Sequence, residues 1–222
     1  MVQRVLPRKN KKRLPFEIMM TESEPRNCFT EMTQVVLEGA REVLNSDEMT
    51  ALFESAGVRL PDETGPISAP GNDIQRLAKA LETRYGPLGS RGTAVRIGRA
   101  SFQGVMQVFG SEDGFEDEEY RMLPVRKRAR AGLEKLAAIF ECACGIHVAV
   151  TTEPEAWLWT LADCETCHDP RVETAVSHFM LGLLREYLAW SSGGKVFQVE
   201  EIACRADGDP NCVLRVLRLP LD

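Results

Sequence analysis

An α+β fold with a C-terminal antiparallel sheet is predicted by two patterns in this sequence. Up to about residue 142, apolar residues recur at helical spacing, and from residue 146 the period changes to the two-residue alternation of half-buried strands. The elements then follow in the order helices, two strands, one helix, two strands, which is typical of antiparallel pairing. We therefore predict a four-stranded antiparallel sheet packed against helices and preceded by a helical N-terminal half.

The individual elements are predicted from apolar stripes and from the residues that interrupt them. Gly57 ends the second helix, Gly86 and Pro87 end the third, and the acidic stretch 111–119 is predicted as an exposed connection. The predicted helices are 29–44, 46–56, 73–85, 92–109, 125–142 and 173–190. The predicted strands are 146–151, 156–162, 196–205 and 213–219.

Composition divides the chain into three predicted parts. Residues 1–25 form a basic stretch that we interpret as a solvated, disordered tail, the alternative being an arm for nucleic acid or a membrane surface. Residues 26–120 form the helical region, and residues 121–222 form the ligand-binding domain. The net charge of −6 argues against nucleic acid as a general partner.

We expect neither a secretory signal nor a membrane helix, and this expectation determines how the seven cysteines are interpreted. The start has no apolar core of the kind a secretory signal needs, and no run approaches the ~18 apolar residues of a membrane helix. We expect a cytoplasmic protein without a membrane span. Because thiols stay reduced there, the cysteines are predicted to be thiols or metal ligands before disulfides.

The most informative segment is a predicted hairpin with the turn sequence Asp-Gly-Asp-Pro-Asn at 207–211. Cys204 and Cys212 lie symmetrically about Gly208, so their Cβ atoms are expected ~5 Å apart across the hairpin. That separation suits a shared metal ion or a disulfide, and a reducing compartment favours the metal or two free thiols. Glu201 falls on the opposite face of a regular strand, so only a bulge would bring it to the cysteines.

This hairpin resembles the C-terminal signature of the 4-vinyl reductase domain family, in which a Glu is followed by a Cys three residues on and another eight residues later. The family includes a bacteriochlorophyll-synthesis protein and sensor modules of aromatic-responsive activators, and shares its fold with Golgi transport-particle subunits. The resemblance covers about residues 133–219. The resemblance implies the fold shared with the transport-particle subunits and a homodimer. It also implies a hydrophobic ligand and a zinc ion held by Glu201, Cys204, Cys212 and a helical cysteine.

The helical position at which the family has its fourth ligand is occupied by Ser177 in this chain. A neutral serine is a poor zinc ligand. Either His178 takes its place, or Cys164 or Cys167 reaches in from the preceding loop, or the metal is absent.

The run Cys164-Glu165-Thr166-Cys167-His168 has the spacing of a c-type haem attachment motif. Covalent attachment normally requires an exported chain, so we expect no haem here. The pair Cys164 and Cys167 also suits half of a zinc site completed by His168 or the hairpin, or the two are simply loop thiols.

Aromatic side chains are expected to line a ligand pocket between the sheet and the helices 125–142 and 173–190. The predicted ligand-binding residues are Trp157, Trp159, Phe179, Tyr187 and Phe140. No Gly-x-Gly-x-x-Gly run follows a strand, so there is no visible NAD(P)H site, and no residue is assigned as catalytic.

We therefore predict non-catalytic binding of a hydrophobic small molecule, either an aromatic, a lipid or a tetrapyrrole, in a domain held by a structural zinc site. One alternative is an enzyme or accessory factor in (bacterio)chlorophyll or tetrapyrrole metabolism. The other is a ligand-responsive regulatory or scaffold protein.

Overall fold

The computed structural model describes residues 28–57, 72–145, 147–162 and 170–221. The predicted tail at 1–25, and Cys164, Cys167 and His168, lie outside these ranges. Among the described residues, no helix is long and apolar enough to cross a membrane.

The helices follow the predicted order. Asn45 begins α2 with a capping box, its side chain accepting from the amide of Glu48 while the Glu48 carboxylate accepts from the amide of Asn45, and Gly57 ends the helix at φ 63°. The bounds are α1 Cys28–Val43, α2 Ser46–Ala56, α3 Asn72–Phe109, α4 Glu118–Arg121, α5 Val125–Cys144 and α6 Pro170–Ser192.

Helix α3 joins the two helices predicted at 73–85 and 92–109. Gly86 has φ 70° and ψ 175° and kinks α3 at this point. Pro87 then starts the second half, since its missing amide proton costs nothing in a first helical turn. The predicted break is therefore a kink, and the second half begins about five residues earlier than expected.

The acidic connection predicted at 111–119 includes the start of the short helix α4. Tyr120 of α4 is buried, and its ring packs edge-on against Phe115 at 5.4 Å between centroids. The connection is therefore anchored to the core by these two rings.

The sheet confirms the predicted α+β class. The strands are β1 His147–Thr152, β2 Ala156–Ala162, β3 Val199–Ala203 and β4 Cys212–Leu217. They pair antiparallel in the order β1-β2-β4-β3. The ladder between β3 and β4 shifts register between Glu201 and Ala203, which marks a bulge.

The main core runs through both halves of the chain, from Met32 of α1 to Val216 of β4. At its centre α3 and α6 approach so closely that their backbones touch. A Cβ added at Gly98 would lie 2.9 Å from the carbonyl carbon of Phe179, and one at Gly182 would lie 2.8 Å from that of Val95. The core thus crosses the boundary predicted at residue 120, and the division into 26–120 and 121–222 stays a prediction.

A buried tyrosine pair ties α6 to α4 and α5. The Tyr187 hydroxyl donates to the main-chain carbonyls of Arg128 and Ala129, at 2.9 and 3.0 Å, and lies 3.0 Å from the hydroxyl of Tyr120. Gly132 makes room for it, because a side chain there would overlap the Tyr187 ring. Burial raises the pKa of both tyrosines, so both hydroxyls stay protonated as donors.

Replacing Tyr187 by phenylalanine is expected to lower the free energy of unfolding by about 1–3 kcal/mol, because it leaves the Tyr120 hydroxyl and two carbonyls without their buried partner. Urea unfolding followed by circular dichroism measures this. Tyr85→Phe is the control, since the Tyr85 hydroxyl has no hydrogen-bond partner among the described residues. Equal midpoints for the two variants would show that the network contributes nothing.

A disulfide joins Cys28 at the start of α1 to Cys142 near the end of α5, with the Cα atoms 5.9 Å apart. The expectation that the cysteines are thiols or metal ligands is wrong for these two. Sequence reasoning missed the pair because they are 114 residues apart, and only the packing of α1 against α5 brings them together. Cys144, Cys204 and Cys212 are thiols.

Candidate functional site

An apolar pocket lies where the N-terminal helices meet α5 and α6. Its volume is about 60 Å³. The lining comes from all five of the long helices and is free of charged side chains among the described residues. It consists of Met32, Val36, Ala40, Leu52, Leu77, Ala78, Leu81, Ala94, Ile97, Phe140, Cys144, Val176, Phe179 and Met180.

The position of this pocket corrects the prediction in one respect. Helices α5 and α6 form one side, as expected, but the other side is α1, α2 and α3 and not the sheet. Sequence reasoning missed these helices because their apolar stripes are indistinguishable from ordinary core stripes until the packing is known.

The five predicted ligand-binding aromatics are found in four places. Phe140 and Phe179 line the pocket and pack edge-on, 6.4 Å between centroids. Trp159 packs on Phe140 at 6.2 Å, outside the pocket lining. Tyr187 belongs to the tyrosine pair, and Trp157 is buried beneath Arg218, with 5.9 Å from ring centroid to guanidinium carbon.

Cys144 is the one protic side chain among the described residues that line the pocket, and it was not among the predicted ligands. It is half-buried at the end of α5, and burial raises the pKa of its thiol to about 12. The group is therefore a neutral thiol at ordinary pH. A cysteine in the last turn of an apolar helix carries no sequence signal beyond that of a small buried residue.

The hairpin brings three of the predicted metal ligands together. One ligand atom each from Glu201, Cys204 and Cys212 lies within 4.8 Å of the others. Both cysteines are buried, and Glu201 is half-buried, its Oε1 having no hydrogen-bond partner in the described parts of the chain. The bulge in β3 turns Glu201 to the side of the strand that carries the cysteines. The spacing in the sequence predicted that such a bulge would be needed.

The turn holds this cluster in place. Asp209 accepts from the Cys204 amide at 2.9 Å, and the Arg205 amide donates to the Cys212 sulfur at 3.4 Å. Gly208 closes the turn at φ 101°. Burial raises the pKa of Cys212 to about 12, and Cys204 and Glu201 add to the rise, so the thiol is neutral.

His178 borders the cluster from α6. Its Nδ1 lies 3.8 Å from Glu201 Oε2 and 3.5 Å from the Ser177 hydroxyl, and Ser177 is fully buried. His178 is therefore the predicted fourth residue that the structure does bring to the hairpin. Cys164 and Cys167 lie outside the described residues, and the role of the whole set in binding a metal stays a prediction.

Comparison with known proteins identifies the fold. No family model and no curated protein matches the sequence. Among solved structures, the chain matches an H-NOX protein from S. oneidensis in an Fe(II)NO state, with 11% identity, TM-score 0.54, and 82% of this chain and 97% of that chain covered. An oxygen-binding H-NOX domain related to soluble guanylate cyclases matches with 13% identity, TM-score 0.51, and coverage of 87% and 97%.

A point mutant of the T. tengcongensis H-NOX matches with 12% identity and TM-score 0.57, covering 87% of this chain and all of that one. At these identities the likeness establishes the fold alone. The fold is that of H-NOX proteins.

Three predictions are overturned by this result. Membership of the 4-vinyl reductase family, with its link to bacteriochlorophyll synthesis, is wrong, because no family model matches and the structural relatives are H-NOX proteins. The function built on it, a hydrophobic ligand in a zinc-held domain, is wrong with it. Zinc as the cofactor and the exclusion of haem are wrong as well, because the matching fold is one that haem proteins use. The resemblance gave a wrong family because it depended on a short hairpin signature and covered only about residues 133–219.

Proposed function

We propose that this chain is a haem-binding sensor domain that takes its ligand in the helical pocket. The observation that carries the proposal is an apolar pocket enclosed by α1–α3, α5 and α6 in the H-NOX fold. The H-NOX proteins that share this fold are described in Fe(II)NO and oxygen-bound states, and one matching structure was solved to study haem redox potential and porphyrin distortion.

The lining of the pocket meets part of what a haem requires. Its apolar walls suit the faces of a porphyrin, and Cys144 together with the thioethers of Met32 and Met180 supplies ligand types that haem iron takes in proteins. His147 is exposed and lies within hydrogen-bond distance of Glu141, and His178 faces the hairpin. Neither of these described histidines therefore reaches the pocket. Of these donors, Cys144 would have to lose its proton to bind as a thiolate.

The size of the pocket adds a requirement. Sites for organic ligands hold roughly 300–1,000 Å³, and this pocket holds about 60 Å³. Haem binding therefore requires the walls to separate. The first half of α3, which carries Leu77, Ala78 and Leu81, is joined to the rest of the helix at the Gly86 kink, and this is where we expect the separation.

The sequence supplies a second set of donors. Cys164, Cys167 and His168 have the spacing of covalent haem attachment and precede α6, the helix that carries Val176, Phe179 and Met180 into the pocket. Bound haem would provide a site for a diatomic gas. The protein's own part is to exclude water with the apolar walls and to hold the iron through one of these donors.

Titration of the purified protein with hemin tests the proposal. We expect a Soret band that saturates near one haem per chain, and a shift of that band in Cys144→Ala or His168→Ala, depending on which donor holds the iron. His147→Ala is the control and should leave the band unchanged. Acid–acetone extraction tells covalent from non-covalent haem. A folded protein that gives no saturable Soret band would contradict the proposal.

The homodimer predicted from the sequence stays a proposal beside this function. Size-exclusion chromatography with light scattering tests for the homodimer, and a monomer mass at micromolar concentration would contradict it. The cytoplasmic compartment likewise stays a prediction.

A further inference from the structure

A second concave surface, unrelated to the helical pocket, lies along the first half of α5. We call it the basic groove. Arg126, Lys127, Arg130 and Arg218 supply four cations to it, and Glu134 is its carboxylate. The groove is open to solvent and holds about 520 Å³. It stands out in a chain whose net charge is −6.

Two of these cations are held in place by the protein. The Arg218 Nη1 donates to the carbonyls of Glu153 and Pro154, at 2.8 and 2.9 Å, while its Nε is buried and meets no hydrogen-bond partner within the described ranges. Arg130 pairs with Glu134 at 2.8 Å and donates to the hydroxyl of Thr152. Arg218 therefore gives the groove a fixed positive charge, whereas the charge of Arg130 is balanced by Glu134.

The other two cations are placed where they destabilise the free protein. Arg126 and Lys127 lie in the first turn of α5, which has no acidic residue and whose N-cap, Pro124, makes no side-chain cap. Positive charge there repels the positive end of the helix dipole. Within the described parts of the chain, neither side chain has an ion-pair partner. A bound anion would offset both repulsions at once.

We propose that the basic groove binds an organic phosphate of nucleotide size. The guanidinium fork of Arg126 matches phosphate oxygens in pairs, Lys127 adds a second charge, and the dipole of α5 adds to the same attraction. The volume is larger than inorganic phosphate requires and falls within the range of sites for organic ligands. Leu123 and Ala131 provide apolar surface for the organic part. This inference does not depend on haem binding.

Isothermal titration of the full chain with ATP, pyrophosphate and adenosine tests the proposal. We expect ATP to bind more tightly than pyrophosphate, and adenosine not to bind. The double variant Arg126→Gln/Lys127→Gln should weaken ATP binding by at least about tenfold, because the loss of even one charge-assisted hydrogen bond has an effect of that size. Both residues are exposed, so this variant is expected to fold.

The matched control is Arg41→Gln/Lys195→Gln, which removes the same charge from two exposed residues outside the groove. ATP affinity in this control should stay within about twofold of the wild type, because only general charge is lost. The proposal is overturned if ATP does not bind at millimolar concentration, or if both double variants weaken it equally. Equal affinity for ATP and pyrophosphate would overturn the assignment of an organic ligand.

Discussion

Replacing Gly182 by alanine is expected to lower the free energy of unfolding by about 3 kcal/mol or more, the upper range for overpacking a filled core. The new methyl group would overlap the main chain of α3 at Val95, whose carbonyl carbon would lie 2.8 Å away. Backbone cannot rotate aside as a side chain can, so α3 and α6 would have to separate. Gly98→Ala should act in the same way, because its methyl group would meet the Phe179 carbonyl.

Urea unfolding followed by circular dichroism measures this change, and Gly92→Ala is the matched control. Gly92 lies in the same helix as Gly98 and is not crowded, since no described atom comes within 4 Å of an added Cβ. Alanine there should stabilise the protein by about 0.5–1 kcal/mol through helix propensity. If Gly182→Ala and Gly92→Ala unfold at the same urea concentration, the result would contradict the close approach of α3 and α6.

Removing the disulfide between Cys28 and Cys142 is expected to have the second large effect. The bond closes a loop with a sequence separation of 114, for which the chain-entropy estimate is about 4–5 kcal/mol. The double variant Cys28→Ser/Cys142→Ser should therefore melt well below the wild type under non-reducing conditions. Differential scanning calorimetry measures the difference.

A reducing agent supplies the internal control. The phosphine TCEP should lower the melting temperature of the wild type towards that of the double variant and leave the double variant nearly unchanged. A wild type whose melting temperature does not respond to TCEP would contradict the disulfide.

Local patterns predicted most of the elements correctly. The apolar stripe and the stop at Gly57 located α2, and the period change near residue 146 located β1. The hairpin turn around Gly208, and the need for a bulge to bring Glu201 to Cys204, also follow from spacing alone. Each of these features depends on residues that are close together in the chain, so each can be predicted from the sequence.

The candidate site was predicted less well, because its parts are far apart in sequence. Phe140 and Phe179 were predicted as ligand-binding residues and line the pocket, but Met32, Leu52 and Ala94 on the opposite wall belong to helices with no distinguishing signal. The basic groove likewise depends on Arg218 reaching residues of α5, about 90 positions earlier in the sequence.

By itself the sequence determined the α+β class, the antiparallel sheet and the geometry of the cysteine hairpin, since periodicity and turn chemistry act over a few residues. The tertiary structure alone decided the H-NOX fold, the Cys28–Cys142 bond, the pocket between α1–α3 and α5–α6, and the basic groove. These depend on which helix faces pack together, as the close approach of α3 and α6 at Gly98 and Gly182 illustrates.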